Sequence, residues 1–138
     1  MKVINAVMPT MDQAASFFSA PQEGPFVMVN LLKFREKAEY EDGSDPELPG
    51  RDAYMRYGEK VRLLVEDLGG RLFFQGQVSG LLLGEVEELW DAVALVEYPS
   101  LAAFQKMALS PEMHAIEHHR KAGLAGQLNI RVQPAATV

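Results

Sequence analysis

The chain has 138 residues, 48% hydrophobic and 23% charged, a composition that fits one compact domain with a buried core and excludes wholesale disorder. The absence of cysteine excludes disulfides, thiolate catalysis and cysteine-based metal sites, and the formal net charge of −6 argues against a surface for nucleic acid or anionic membranes. No apolar run approaches the roughly 20 residues that cross a bilayer, and the first residues lack a signal-peptide pattern. We therefore expect a single cytoplasmic domain spanning residues 1–138.

The amino-terminal part predicts one short helix and one buried strand. Thr10 and Gln13 form a capping box that opens a helix, which ends before Pro21. The preceding residues 2–8 weakly favour a strand. The segment 26–34 (FVMVNLLKF) is rich in β-branched and aromatic residues, which predicts a strand buried on both faces.

The middle of the chain predicts a loop, a helix and a strand. Residues 35–50 are charged and rich in turn formers, typical either of an exposed lid or binding loop or of a mobile solvated loop. Apolar residues recur at three- and four-residue steps over 51–68, which predicts an amphipathic helix ended by Gly69. A long strand is predicted over 71–83, with a bend or bulge at Gly76.

The last third predicts a central strand over 90–98 and then two helices, capped by Ser100 and Ser110. The second of these helices ends at the glycines at 123 or 126, and a final strand covers 127–133.

The predicted order, apart from the amino-terminal piece, is strand, helix, strand, strand, helix, strand. This is the ferredoxin-like βαββαβ plan of an α+β fold, with a four-stranded antiparallel sheet and helices on one face.

The face of the sheet without helices is predicted from strand alternation. We assign to it the alternating set that mixes large apolar groups with polar ones, and this set includes Phe26, Met28, Asn30, Phe34, Phe73, Gln75, Asp91, Val93, Leu95, Glu97 and Arg131. Covering roughly 800 Å² of such a surface is worth on the order of 20 kcal/mol before association costs, so a second copy of the chain is the expected cover. Polar groups left between the two sheets would line a small cavity. A bulge at Gly76 would exchange the faces beyond it.

Glu97 is the candidate catalytic residue of that cavity. If Phe73 and Leu95 enclose it, its charged form is disfavoured and it can act as a general base. A structural ion pair with Arg131 or Lys33 is the open alternative.

The candidate ligand-binding residues are polar groups with structural alternatives. Asn30 and Gln75 are suited to orienting a carbonyl, or they satisfy each other across the sheet. Arg131 is a candidate contact on the last strand. Tyr57 lies on the inner stripe of the long helix, where it is either a ligand contact or a core tyrosine.

The three histidines do not predict a metal site. His114 and His118 are four residues apart on one helix, but no third ligand or recognised motif accompanies them, so solvent-facing histidines are the favoured interpretation. We expect neither a metal nor another cofactor.

Five blocks of the sequence resemble, in order, the family catalogued as domain of unknown function 1330: residues 24–34 (GPFVMVNLLKF), 53–58 (AYMRYG), 90–93 (WDAV), 97–100 (EYPS) and 110–112 (SPE). The resemblance covers most of residues 24–132. It implies the dimeric α/β-barrel superfamily, in which two ferredoxin-like units pack their sheets face to face. The superfamily includes cofactor-free monooxygenases, isomerases and haem enzymes, so the resemblance implies no particular reaction.

The segment around Arg120 resembles the part of that family in which an arginine follows the second helix. The resemblance suggests that Arg120 reaches a substrate carboxylate or carbonyl at the cavity mouth. The alternative is a cation that faces the carboxyl-terminal end of the helix dipole.

The sequence therefore predicts a homodimer, formed through the open sheet face, that binds a small molecule. Three functions remain open. The protein is a cofactor-free enzyme acting on a small carbonyl or aromatic compound by proton transfer or oxygenation, a non-catalytic ligand-binding or stress-related dimer, or a structural dimer without a cavity. No residue pattern names a substrate.

Overall fold

The structure, a computed structural model, describes residues 1–19 and 24–135. These residues form α1 (Met11–Ser19), β1 (Phe26–Phe34), α2 (Gly50–Asp67), β2 (Arg71–Gln77), β3 (Ala92–Tyr98), α3 (Leu101–Ala108), α4 (Pro111–Gly123) and β4 (Leu124–Val132). The strands pair antiparallel in one sheet, in the order β2-β3-β1-β4. The predicted α+β, ferredoxin-like fold is confirmed.

The helix starts follow the local sequence signals. The backbone amide of Gln13 donates to the Thr10 hydroxyl at 3.1 Å, and the Thr10 amide donates to the Gln13 side chain at 3.0 Å. Ser100 and Ser110 each accept a hydrogen bond, at 3.1 Å, from the backbone amide three residues ahead. The predicted capping box and both serine caps are confirmed. The predicted helix end before Pro21 falls outside the described residues.

The strand ends differ from the prediction in the β2–β3 hairpin. The predicted strand over 71–83 stops at Gln77, and the strand predicted from Trp90 begins at Ala92. Gln77 and Ala92 are the last pair of the β2–β3 register. Beyond it the chain leaves the sheet, and Leu82 and Leu83 are exposed.

The first and last predicted strands also differ from the structure. The weakly predicted strand over 2–8 is wrong for the described residues, since Ala6 makes only a single bridge to Gln127. The last strand begins at Leu124 rather than at Gln127, directly where α4 ends. Residues 124–126 extend the sheet opposite the end of β1.

The segment 35–50 is mostly exposed, as predicted, and a few hydrogen bonds anchor it to the helices. The Ala38 amide donates to the Leu48 carbonyl at 2.7 Å, closing the segment on itself, and the Glu39 amide donates to the Ala122 carbonyl of α4 at 3.0 Å. Ala38 is buried in a small cluster with Ala122. These contacts join a mostly exposed loop to the helix layer. Its predicted exposure is confirmed, whereas a lid or binding role and a mobile form both stay predictions.

The predicted faces of β1 are reversed. Phe26 and Met28, which we assigned to the open face, are buried in a core cluster with Val65 of α2 and Met113 of α4. Asn30 shares their parity and therefore also faces the helices. The prediction failed because both alternating sets of β1 are apolar, so the sequence of this strand carries no polar side to orient it.

The strand register extends this correction across the sheet. Asn30 pairs with Ala94 of β3 and Asn129 of β4, and Ala94 pairs with Gln75 of β2. Paired residues point to the same face, so this row lies beneath the helices. The neighbouring row, on the open face, consists of Phe74, Leu95, Val29 and Ile130.

A bulge in β2 accounts for the position of Gln75. The register shifts between Leu72 and Phe74, rather than at Gly76 as predicted, and this turns Phe74 to the open face and Gln75 to the helices. The Phe74 ring lies 3.2 Å from the position that a Gly76 Cβ would take. Glycine at 76 therefore leaves room for the ring on the sheet surface.

The open face is consequently more apolar than predicted. Its residues in the four strands are Phe74, Val93, Leu95, Val27, Val29, Leu31, Leu128, Ile130 and Val132, with charged side chains only at its ends. Phe74 is 56% exposed and Ile130 45%. In the described ranges no helix has the length and apolar character needed to span a membrane.

Candidate functional site

An open cleft of about 1420 Å³ lies between the sheet and the helices. Its floor includes Ala92 and Ala94 of β3, whose methyl side chains leave space above the centre of the sheet. Tyr54 and Tyr57 of α2 line the cleft from one helix, and Glu117 and Arg120 of α4 line it from the other. Much of the remaining wall comes from the amino-terminal residues Ile4, Ala6, Val7, Met8, Pro9, Asp12, Gln13, Ala14, Ser16, Phe17 and Phe18.

A chain of hydrogen bonds connects α4 to the sheet through Arg120. The Arg120 Nε donates to Glu117 Oε1 at 2.7 Å, and Nη1 donates to the Gln127 side-chain oxygen at 2.8 Å. Gln127 in turn donates to the Asn30 side-chain oxygen at 2.8 Å. Arg120 also donates to the carbonyl of Val7, which joins the amino-terminal segment to the cleft. The guanidinium is thus held by contacts on three sides.

Two tyrosine hydroxyls stand beside this chain. Tyr54 and Tyr57 are one helical turn apart on α2, with ring centroids separated by 5.6 Å. Burial raises the pKa of Tyr54 to about 12, and the positive charge of Arg120 partly offsets that increase. Burial, and next the neighbouring Tyr54, raises the pKa of Tyr57 well above its usual value. Both phenols are therefore protonated hydrogen-bond donors at neutral pH, and neither hydroxyl bonds to a described residue.

The other predicted ligand-binding residues line the same cleft. Asn30 is fixed by its amide, which donates to the Ala94 carbonyl at 3.1 Å. Gln75 lies at the exposed edge of the floor. Arg131 donates to the Phe17 carbonyl at 3.2 Å and its guanidinium lies 4.5 Å from the centre of the Phe17 ring. The structure thus brings together Asn30, Tyr57, Gln75, Arg120 and Arg131, although in a cleft beneath the helices rather than between two sheets.

Glu97 does not join this group. It pairs in register with Val27, so its side chain lies on the open face, on the other side of the sheet from the cleft. It forms an ion pair with Arg71, whose Nε lies 3.2 Å from Glu97 Oε1. Arg131 and Lys33, the two partners that we weighed for it, bond elsewhere: Lys33 pairs with Glu88 at 3.1 Å.

Of the three histidines, His114 lines the cleft, whereas His118 and His119 do not. His119 Nδ1 and the Tyr40 hydroxyl share a hydrogen bond of 2.7 Å, and Arg56 donates to the same hydroxyl at 3.2 Å. Burial, with the positive charge of neighbouring groups, lowers the pKa of His119, which favours the neutral ring. His118 is exposed. Within residues 1–19 and 24–135, no group of three or more His, Cys, Asp or Glu side chains is placed to hold a metal ion.

Among the polar residues of the cleft that sequence reasoning missed are Tyr54, Glu117 and Gln127. A helical spacing signal was available for two of them. Tyr54 stands three residues before Tyr57, and Glu117 three residues before Arg120, so each shares a helix face with a residue that we had singled out. Gln127 had no such signal, since its role depends on the position of β4 beside Asn30.

The comparisons with known proteins agree with this architecture. The model of the family described as Domain of unknown function (DUF1330) matches residues 47–131. The chain belongs to this family. Two crystal structures of the RPA0582 protein from Rhodopseudomonas palustris, one of its methylated form and one described as a protein of unknown function, are each 36% identical to the chain. They cover 96% of it, and it covers 97% and 98% of theirs, with TM-scores of 0.88 and 0.86.

A more distant structure has the same fold. It is a dabb family protein with a ferredoxin-like fold from Mesorhizobium loti, 12% identical, with a TM-score of 0.53 over 83% of this chain and 100% of the other. This likeness concerns the fold alone. No functionally curated protein matches the chain. Membership of DUF1330 therefore identifies the scaffold, and any function has to be argued from the cleft.

Proposed function

We propose that this DUF1330 protein is a homodimer that binds a small aromatic or otherwise apolar molecule carrying a carbonyl or carboxylate group in the cleft beneath its helices. The observation that carries the proposal is the cleft itself, in which small alanines leave space and donor groups converge on that space. Pockets that bind small organic molecules combine a mostly apolar lining with a few placed polar groups.

The donors around the cleft suit an oxygen-bearing group. Tyr54 and Tyr57 have hydroxyls without a protein partner among the described residues, and the positive charge of Arg120 partly offsets the increase that burial causes in both pKa values. Among the residues that the structure describes, no carboxylate lies within ion-pair distance of Arg131. Guanidinium and phenol groups both donate to carbonyl and carboxylate oxygens.

The open sheet face supports the homodimer. Its rows of Val, Leu, Ile and Phe side chains form a contiguous apolar surface, and monomeric soluble proteins rarely leave a patch of this kind in water. An identical face on a second copy is self-complementary in chemistry and covers both. The cleft then opens on the outside of each subunit.

A ligand screen with a space-filling variant tests the binding proposal. The wild type is screened by thermal shift against benzoate, salicylate and phenylpyruvate, and a binder at 100 times its Kd adds about 2.7 kcal/mol of stability. Ala94→Leu fills the floor of the cleft and is expected to abolish the shift. Ala102→Leu, the same change at an exposed position of α3 outside the cleft, is the matched control and is expected to retain it.

The outcomes separate clearly. A shift that is lost in Ala94→Leu and kept in Ala102→Leu supports the cleft as the site. Equal shifts in the two variants would place binding elsewhere, and no shift with any of the three compounds would contradict the proposed ligand class.

A further inference from the structure

Glu117 is the sheltered carboxylate of the cleft. Of the three acidic side chains that line its described walls, Asp12 and Glu59 are exposed, whereas the Glu117 side chain is only 25% exposed. It projects from α4 into the same space as Tyr54 and Tyr57 of α2. A carboxylate sheltered from bulk water beside a substrate-sized space is positioned for proton transfer.

The hydrogen bonds of Glu117 leave one oxygen available. Oε1 accepts from Arg120 Nε at 2.7 Å, which fixes the orientation of the carboxylate. Oε2 has no hydrogen bond to a described residue. The bond to Arg120 therefore orients the group while one basic oxygen remains free to meet a bound molecule.

Two phenol donors line the same cleft as that carboxylate. Glu117 and Tyr57 line the same cleft, and the negative charge of Glu117 is among the smaller causes that raise the pKa of Tyr57. The Arg120 charge acts on both tyrosines. A base, two neutral phenol donors and a cation around one space are the groups needed to remove a proton next to a carbonyl and hold the resulting oxyanion.

We propose that Glu117 is the proton-accepting catalytic residue for an enolisable carbonyl compound, with Tyr54 and Tyr57 as the donors to its oxygen. This inference rests on the proposed function, because it needs the ligand to occupy the cleft. It moves the catalytic carboxylate from Glu97, on the open face, to the helix face of the sheet.

The step is balanced without an added oxidant or cofactor. The C–H bond adjacent to the substrate carbonyl breaks, and its proton moves to Glu117 Oε2. The bonding electron pair forms the new C=C bond, and the carbonyl π pair moves to the oxygen, which becomes an enolate held by the two phenol O–H groups. Return of a proton from Glu117 to the same carbon regenerates the ketone, and in D₂O it returns as deuterium.

Deuterium exchange into phenylpyruvate tests the proposal. Its methylene protons are adjacent to the keto group, and ¹H NMR in D₂O follows their loss with and without the protein. We expect the wild type to accelerate exchange above the buffer rate in proportion to its concentration. Glu117→Gln is expected to lose about 100-fold or more of that acceleration, the range of general-base contributions.

Two controls distinguish a catalytic from a structural role. In Glu117→Gln the amide oxygen still accepts from Arg120, so the fold and the thermal shift with phenylpyruvate should persist while exchange is lost. Glu112→Gln, the same change in the exposed first turn of α4, should exchange like the wild type. Tyr54→Phe and Tyr57→Phe should each slow exchange, and the variant that removes the main donor to the oxyanion should lose on the order of 100-fold.

Several results would overturn the inference. Wild-type protein that binds phenylpyruvate without accelerating exchange would refute it and leave the proposed binding function standing. Glu117→Gln exchanging at the wild-type rate would refute the role of this residue. Absence of both binding and exchange would refute the substrate class, and the benzoate and salicylate arms of the thermal-shift screen then decide the binding function separately.

Discussion

Replacing Phe74 by alanine is expected to weaken the proposed dimer about a thousandfold. A phenylalanine presents roughly 200 Å², and Phe74 is 56% exposed, so about 110 Å² remains to be covered by a partner. Alanine keeps the Cβ, so the truncation removes roughly 80 Å², worth about 2 kcal/mol. A two-fold dimer contains two copies of the residue, which doubles the change to about 4 kcal/mol in the dissociation free energy.

Sedimentation equilibrium over a concentration series measures the dissociation constants of wild type and Phe74→Ala. Phe74 lies on the open face and takes no part in the core between the sheet and the helices, so circular dichroism should show an unchanged fold. Leu109→Ala, which truncates a residue that is 68% exposed at the junction of α3 and α4, is the matched control and should leave the dimer intact. A wild type that is monomeric throughout, or a Leu109→Ala variant weakened as much as Phe74→Ala, would refute the open-face dimer.

Two further predictions concern stability. Burial lowers the pKa of His119 in the folded state below the 6.5 of the unfolded chain, so the folded state binds a proton less readily than the unfolded state. The neutral His119 therefore contributes to the free energy of unfolding above pH 6.5. This contribution is lost as the pH falls through the pKa of the folded state. Urea unfolding at pH 8 and pH 5 should show a smaller acid loss in His119→Gln, and identical losses would contradict this. Gly123→Ala places a Cβ against the Gly50 carbonyl and 2.7 Å from the Tyr54 amide, where α4 meets α2, and should cost about 1–3 kcal/mol by the same assay. Gly80→Ala, with open space around its Cβ, should be neutral, and an equal loss there would refute the packing argument.

Much of the fold was predictable because its signals are local. The serine caps before α3 and α4, the apolar stripe of α2 and the largely apolar run of β1 each depend on residues a few positions apart. The element order then restricts an antiparallel four-stranded sheet to few topologies. The extent of β2 was not predictable in this way, because the pairing with β3, rather than its own apolar residues, decides that it ends at Gln77.

The candidate site was predicted in part. Asn30, Tyr57, Gln75, Arg120 and Arg131 do line one cleft. Asn30, Gln75 and Arg131 were singled out as polar side chains on predicted strands, Tyr57 by its place on the inner stripe of the long helix, and Arg120 by the family resemblance. Their surroundings were assigned to the wrong face, and the cleft's own carboxylate was overlooked. Proximity between α4 and α2 depends on how two helices cross over the sheet, which no spacing within either helix encodes.

Sequence alone determined that a ferredoxin-like sheet has two apolar sides while its helices can cover only one. Which side they cover was decided by tertiary packing. β1 presents Phe26, Met28 and Leu32 on one face and Val27, Val29 and Leu31 on the other, and the two sets have nearly equal hydrophobicity. Only contacts with the helices, which can bury the larger set completely, distinguish them. That choice places Asn30 and the cleft beneath the helices, and it leaves the smaller, flatter set on the open face.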